Sequence, residues 1–322
     1  MLRRPRRNRA SSAIRAMVQE NQVRQEDLIY PLFVKPGDGQ KEAILTLPGV
    51  YRHTETGILE EIDDALNYGI RSIMLFPVVP ESKKDKHASY SHDPENFYLQ
   101  VSAKIKEKFP DICLVSDVAM DPYSSDGHDG IVENGTILND ESLEVLGKMA
   151  LAQAQAGFDL IGPSDMMDGR VEHIRKTLDD HNFKSTGIMA YTAKYASAFY
   201  GPFRDALDSK PKWGDKKTYQ MNPANRREAL IEAELDIQEG ADYIMVKPAL
   251  HYLDIIRDLR NNFQVPVVSY HVSGEYSMLM AAADKGYVDL DQALHETLTA
   301  MKRAGSDLII TYFAKKYAKK LS

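Results

Sequence analysis

The stretch Gly240-Ala241-Asp242-Tyr243-Ile244-Met245-Val246-Lys247-Pro248-Ala249 sets a short run of apolar strand formers between a glycine turn and a lysine-proline stop. Such a run reads as a buried parallel strand with Lys247 at its C-terminal tip. A lysine in that place loses hydration, which penalises its ammonium form unless it has a partner or a task. One task is that of an amine nucleophile forming a Schiff base with a carbonyl substrate. The competing reading is a side chain that snorkels past the strand end into solvent.

A second lysine bears on that choice. Residues 186–191, in Thr186-Gly-Ile-Met-Ala-Tyr191-Thr-Ala-Lys194, form another apolar strand candidate that runs into a lysine. Only helical material broken by one loop separates the two candidates, the spacing of consecutive strands in a β/α fold. Neighbouring strands lie about 5 Å apart, so two ammonium groups at their tips lower each other's pKa and free an amine at neutral pH.

Working outward, further strands are expected at 29–34, 72–79, 112–118, 160–163, 265–270 and 308–312. Helical spacing falls between them at 58–68, 97–109, 142–156, 171–178, 226–238, 251–259, 276–285 and 292–303. About eight strands alternating with helices imply an α/β fold, a (β/α)8 TIM barrel over residues 29–322. Residues 1–28 form a basic N-terminal arm with a short helix at 12–20, suited to packing on another subunit. A doubly wound open sheet is the alternative, but no Gly-x-Gly-x-x-Gly follows the first strand. A barrel places its active site at the C-terminal strand ends, which here carry Asp117, Ser164, Asp165, Lys194, Lys247, Ser273 and Tyr312. Asp117, Asp165 and Ser273 are also plausible helix caps, and Tyr312 a core residue. Caps, however, do not require two lysines on adjacent tips.

Composition narrows the class. The chain has 322 residues, 43% of them hydrophobic and 27% charged, as in ordinary globular proteins. A net charge of −7 argues against nucleic acid as the main partner, despite the cluster Arg3, Arg4, Arg6, Arg7 and Arg9. The single cysteine, Cys113, rules out an internal disulfide or a polythiolate zinc site within one chain and is expected to be a small buried hydrophobe. No apolar run suits a bilayer and no secretory signal pattern is visible, so a cytoplasmic protein without membrane partners is expected.

Four motifs carry a resemblance. They are Met245-Val246-Lys247-Pro248-Ala249, Ala196-Ser197-Ala198-Phe199-Tyr200-Gly201-Pro202-Phe203-Arg204-Asp205, Tyr219-Gln220-Met221-Asn222-Pro223 and Val272-Ser273-Gly274-Glu275-Tyr276. Together they resemble the 5-aminolaevulinate dehydratase (porphobilinogen synthase) family over residues 5–317. The resemblance implies a lyase that condenses two 5-aminolaevulinate molecules to porphobilinogen, a step toward haem and chlorophyll. It implies Lys247 as the P-side Schiff base and Lys194 as the A-side lysine. Ser273 and Tyr312 would hold the P-side carboxylate, and Arg204, Lys216 and Gln220 the A-side one. Ser164 joins the substrate-binding set by its place at the strand-four tip. Lys216 stands where relatives carry arginine and gives up the bidentate fork. Residues 196–222 match an active-site lid that closes over the substrate.

The loop Asp117-Val-Ala119-Met-Asp121-Pro-Tyr-Ser-Ser-Asp126-Gly-His128-Asp129-Gly130 bears on the metal. Zinc-dependent members of the family place cysteines at Ala119, Asp121 and Asp129, so this chain resembles the zinc-independent branch, without an active-site metal. Asp117 is expected to orient the A-side amine. The resemblance further implies an allosteric magnesium at a subunit interface through Glu232, and a homo-octamer embraced by its arms. A solvated helix face is the other reading of Glu232. Two alternatives frame the assignment: another Schiff-base aldolase or lyase, which needs one lysine only, and a scaffold using the arginine arm on acidic surfaces.

Overall fold

The computed structural model describes residues 1–39, 41–209 and 211–321. Its centre is a parallel sheet of β1 (Leu28–Val34), β2 (Ser72–Pro77), β3 (Cys113–Val115), β4 (Leu160–Ile161), β5 (Gly187–Lys194), β6 (Tyr243–Lys247), β7 (Val267–His271) and β8 (Leu308–Thr311). Each strand pairs with the next, and β8 returns to β1 through Leu28↔Ile309 and Ile29↔Ile310. That closure makes the fold a (β/α)8 barrel and removes the doubly wound sheet, which would leave two edges. Buried branched and aromatic residues such as Ile29, Leu75, Ile188 and Ile310 make up the strands.

Helices follow the strands as an outer layer, among them Glu55–Leu66, Phe97–Lys108, Asn139–Gln155, Arg170–Asp180, Glu228–Gln238, Leu253–Asn262 and Leu290–Ala304. Each turns an apolar stripe inward, as Leu294, Leu298 and Met301 do in Leu290–Ala304. None of the described helices is long and apolar enough to cross a membrane.

The arm helix spans Ser12–Met17 rather than 12–20, and Ser11 caps it by accepting from the Ile14 amide at 3.2 Å. Several elements are not marked by the sequence pattern, among them the antiparallel strands Glu42–Ala43 and Tyr51–His53, a C-terminal helix and a hairpin. The helix Ala314–Leu321 packs its Ala314, Tyr317 and Ala318 inward after β8. A hairpin of Ile131–Glu133 and Thr136–Leu138 turns through Asn134 and Gly135, both at positive φ (49° and 76°). Asn-Gly is the favoured sequence for such a turn.

β3 and β4 are shorter than expected, and the difference serves the site. Regular pairing stops after Val115 and Ile161, then resumes as the single bridge Val118↔Pro163. Pro163 has no amide to give a ladder. At Gly162 a Cβ would lie 2.5 Å from the Ser116 carbonyl oxygen, so the chains approach more closely than a side chain allows. Asp117 and Ser164 sit in this irregular stretch beside the barrel mouth.

β5 is longer than expected and ends on Lys194 itself. Its pairing with β6 carries an irregularity: Ile244 faces Ala190, yet Val246 faces Ala193 and Lys247 faces Lys194. One extra residue on β5 thus brings the two lysines side by side; an unbroken register would set Ala193 against Lys247.

Candidate active site

The Lys247 amine lies in a box of rings. Its Nζ is 4.6 Å from the Tyr270 ring centroid, 4.9 Å from Tyr191, 5.0 Å from Phe203 and 5.3 Å from Tyr200. Ring faces attract a cation, but they replace none of the water hydrogen bonds it loses. Burial, followed by the neighbouring Lys194 charge, pulls Lys247 down to about 7. Near neutral pH a large share of it is therefore free amine, the nucleophilic form. The snorkelling alternative is ruled out, since Lys247 is buried.

Lys194 has a different environment. Its Nζ donates to the Ser164 carbonyl oxygen and lies 4.0 Å from Asp129 Oδ2. Two lysines from adjacent strands thus have unlike surroundings: Lys247 lies among four rings, while Lys194, 5.8 Å from the Tyr191 ring centroid, also meets oxygens.

Asp117 lies buried beneath them. Burial lifts its carboxyl to about 6, against the pull of Lys247 and Lys194, and the Ser164 side chain bonds to it. Its Oδ1 has no protein partner among the described residues. No helix starts until Asn139, so Asp117 is not a cap. Asp165 instead shapes the turn after β4: Oδ1 accepts from the Met167 amide at 2.7 Å, and Oδ2 is 4.0 Å from Arg170.

Ser273 is also not a cap. Glu275 secures that turn, accepting from the Val272 and Leu250 amides at 2.9 Å each. The Ser273 hydroxyl donates to the Phe199 carbonyl at 3.2 Å and accepts from the Phe203 amide at 3.0 Å. Gly274 allows this approach, because a Cβ there would meet the Phe199 backbone at 2.6 Å. Tyr312 Oη lies 3.4 Å from Tyr270 Oη, so the residue is both core and part of the Lys247 surroundings.

The segment 196–222 covers the mouth. It holds the helix Gly201–Leu207, which carries half-buried Arg204 and the Phe203 ring, then returns to β5 where the Met221 amide donates to the Lys194 carbonyl at 3.0 Å. Gln220 is buried, with no partner for Oε1 among the described residues, an acceptor a ligand would satisfy. Lys216 has partners of its own: its Nζ donates to Asp121 Oδ2 at 3.0 Å and Asp129 Oδ2 at 2.9 Å. A lone buried ammonium would be costly, and the two aspartates are the nearest counter-charge.

His128 was not singled out from the sequence, yet it fastens this segment. Its Nδ1 is 3.1 Å from Tyr219 Oη, its Nε2 is 3.0 Å from the Trp213 carbonyl, and its ring centroid is 4.7 Å from that of Trp213, tilted by 43°. The only signal was a histidine within an acidic run, which carries no periodicity.

Glu232 is not on a solvated face. It is half-buried on Glu228–Gln238 and lines a cavity of about 770 Å3 together with Asp168 and Glu228. Burial pushes its carboxyl up to about 7, Arg170 opposing and Asp236 and Asp168 reinforcing. No group of three or more His, Cys, Asp or Glu side chains among the described residues is arranged to hold a metal. Cys113 is half-buried, and burial pushes its thiol up to about 11, which suits a packed side chain more than a ligand.

Comparison with known proteins places the chain in one family. The family model for delta-aminolevulinic acid dehydratase matches residues 2–320. The dehydratase of Chlamydia pneumoniae is 50% identical over 312 residues, covering 97% of this chain and 94% of its own. The chloroplastic dehydratase of Physcomitrium patens is 54% identical over 316 residues, covering 97% and 72%. The crystal structure of the Toxoplasma gondii ME49 dehydratase in complex with the reaction product porphobilinogen aligns at a TM-score of 0.98 with 50% identity, covering 99% of this chain and 92% of that one. With near-complete coverage by the family model and by relatives at half identity, the chain belongs to the delta-aminolevulinic acid dehydratase family.

Proposed function

We propose that Lys247 and Lys194 carry the family's reaction as two Schiff bases. The reaction is that of porphobilinogen synthase, a lyase of tetrapyrrole synthesis: two 5-aminolaevulinate molecules combine to porphobilinogen and two waters. The observation that supports the two-lysine reading is the pairing of Lys247 with Lys194, with a free amine available at one of them. Each amine attacks a substrate ketone carbon, the carbinolamine loses water to give an iminium, and each lysine is released as the new C–C and C–N bonds form. Asp117, beside both amines and raised to about 6, is suited to take and return protons between them. Ser273 and Tyr312 are proposed to receive the P-side carboxylate, and Arg204, Gln220 and Lys216 the A-side one; for Lys216 this requires leaving Asp121 and Asp129 when substrate enters. A single-lysine aldolase would leave Lys194 and the covering segment without a role.

The chain is further proposed to belong to the zinc-independent branch. Zinc does not fit here: the positions in question are Ala119, Asp121 and Asp129, and the two aspartates face an ammonium. Magnesium at Glu232 fits better. Magnesium keeps most of its waters and needs one or two carboxylates, and Glu232, lining a water-accessible cavity, could supply one of them. Bound there, it would neutralise a crowded acidic patch and favour one quaternary state. The exposed arm and the exposed Ile231 and Leu235 next to Glu232 support assembly into a homo-octamer. A cytoplasmic site of action completes the reading.

Borohydride reduction in the presence of 5-aminolaevulinate tests the mechanism. Mass spectrometry should find the reduced adduct on Lys247, with a second on Lys194 at high substrate. A folded protein with no adduct on either lysine would overturn the Schiff-base assignment.

A further inference from the structure

The buried aspartates at the barrel mouth need a counter-charge. Asp121 and Asp129 come from one loop, both buried, with their Oδ2 atoms converging on one point. Two carboxylates so placed take a cation between them or share a proton. A hard divalent ion is one cation that accepts such oxygen ligands. What lies there is the Nζ of Lys216, at 3.0 and 2.9 Å.

We propose that the Lys216 ammonium is the resident cation of this site and excludes a divalent metal from it. A metal bridging both Oδ2 atoms would lie about 2.0–2.6 Å from each, in the space that Nζ already fills. Two positive charges cannot share it. Asp129 also lies 4.0 Å from Lys194 Nζ, so a second lysine borders the cluster.

The cation comes from the covering segment, which ties its presence to that segment's position. The Lys216 carbonyl accepts from the Gln220 amide at 2.9 Å, a turn that fixes the lysine's backbone. Three residues on, Tyr219 Oη accepts from the Asp129 amide at 3.3 Å. Closing the segment therefore delivers the charge together with its anchor. A metal-bound site would keep its cation whether the segment were open or closed.

Manganese binding by electron paramagnetic resonance tests this on the full chain. Glu232→Ala is included throughout, so that the cation site proposed on that helix does not contribute. The chain with Lys216 intact should bind no ion that Asp129→Asn removes. Lys216→Gln, which keeps a donor for the carboxylates, should gain one ion per chain, at least tenfold tighter than before, and Asp129→Asn should abolish the gain. The inference fails if the chain with Lys216 already holds an ion dependent on Asp129, or if folded Lys216→Gln gains none. Should Lys216→Gln not fold, Lys216→Met, which removes the ammonium and keeps the side chain's length, takes its place under the same two criteria. The readout is ion binding and not turnover, so this result stands apart from the dehydratase mechanism.

Discussion

Replacing Lys194 with methionine should raise the pKa of Lys247 and slow its reaction with carbonyls at neutral pH. Both amines lie over the Tyr191 ring, 4.9 Å and 5.8 Å from its centroid, so the two nitrogens are at most about 11 Å apart, the sum of those distances. At an effective dielectric of about 20, their repulsion is about 1.5 kcal/mol at that limit and about 2.5 kcal/mol near 7 Å. One pKa unit corresponds to about 1.4 kcal/mol, so the neighbour accounts for about 1–2 units and burial for the remainder. Lys247 then moves from about 7 toward 8–9 in Lys194→Met. The free-amine fraction at pH 7 falls from about one half to between roughly one tenth and one hundredth, slowing trapping on Lys247 by about 5- to 50-fold. The assay is the rate of borohydride trapping of levulinate on Lys247, followed by mass spectrometry from pH 6 to 10. The variant's profile should shift to higher pH and regain the parent rate near its upper end. Superimposed profiles would refute the electrostatic coupling and leave burial as the sole cause.

Other outcomes follow from the same geometry. The folded pKa of Lys247 is below its ordinary value of 10.5, so the unfolded chain binds more protons between about pH 7 and 10.5, and stability rises with pH across that window. Lys247→Met should therefore stabilise the protein at pH 6 by about 1–4 kcal/mol in urea unfolding, with the gain shrinking toward pH 10; a gain independent of pH would contradict this. Asp129→Asn removes a carboxylate shared by two lysines and should cost about 3–5 kcal/mol, with faster proteolytic cleavage between residues 211 and 222; unchanged cleavage would show that the ion pairs do not hold the segment. A zinc-selective chelator should leave turnover unchanged, and inhibition would refute the zinc-independent assignment. Deleting residues 1–10, all exposed, should leave the barrel's circular dichroism intact while reducing the assembly measured by light scattering; an unchanged assembly would remove the arm's proposed role.

Much of the fold could be read from pattern. Strand positions followed from apolar runs bounded by Gly and Pro, since a parallel strand covered on both faces has few places for polar residues. β3 and β4 are shorter than their runs 112–118 and 160–163 suggest, because Gly162 and Pro163 interrupt the ladder through backbone approach and a missing amide. The roles of Lys216 and His128 were not legible. Both depend on partners about 90 residues away in the chain, and neither lies in a periodic segment.

Residue by residue, the chain alone determined that two lysines end two consecutive buried strands, and that no cysteine is available beside the mouth to ligate zinc. These are matters of composition and local period, and each residue carries them wherever the chain runs. Tertiary structure decided the rest. It decided that one additional residue in β5 sets Lys194 against Lys247, because pairing register is a relation between two strands. It decided that Lys247 is buried among four rings beside the Lys194 charge, which pulls it down to about 7, and that Lys194 meets oxygens. And it decided that a lysine from the covering segment reaches two aspartates of a distant loop, because a buried charge takes the counter-charge that folding brings nearest.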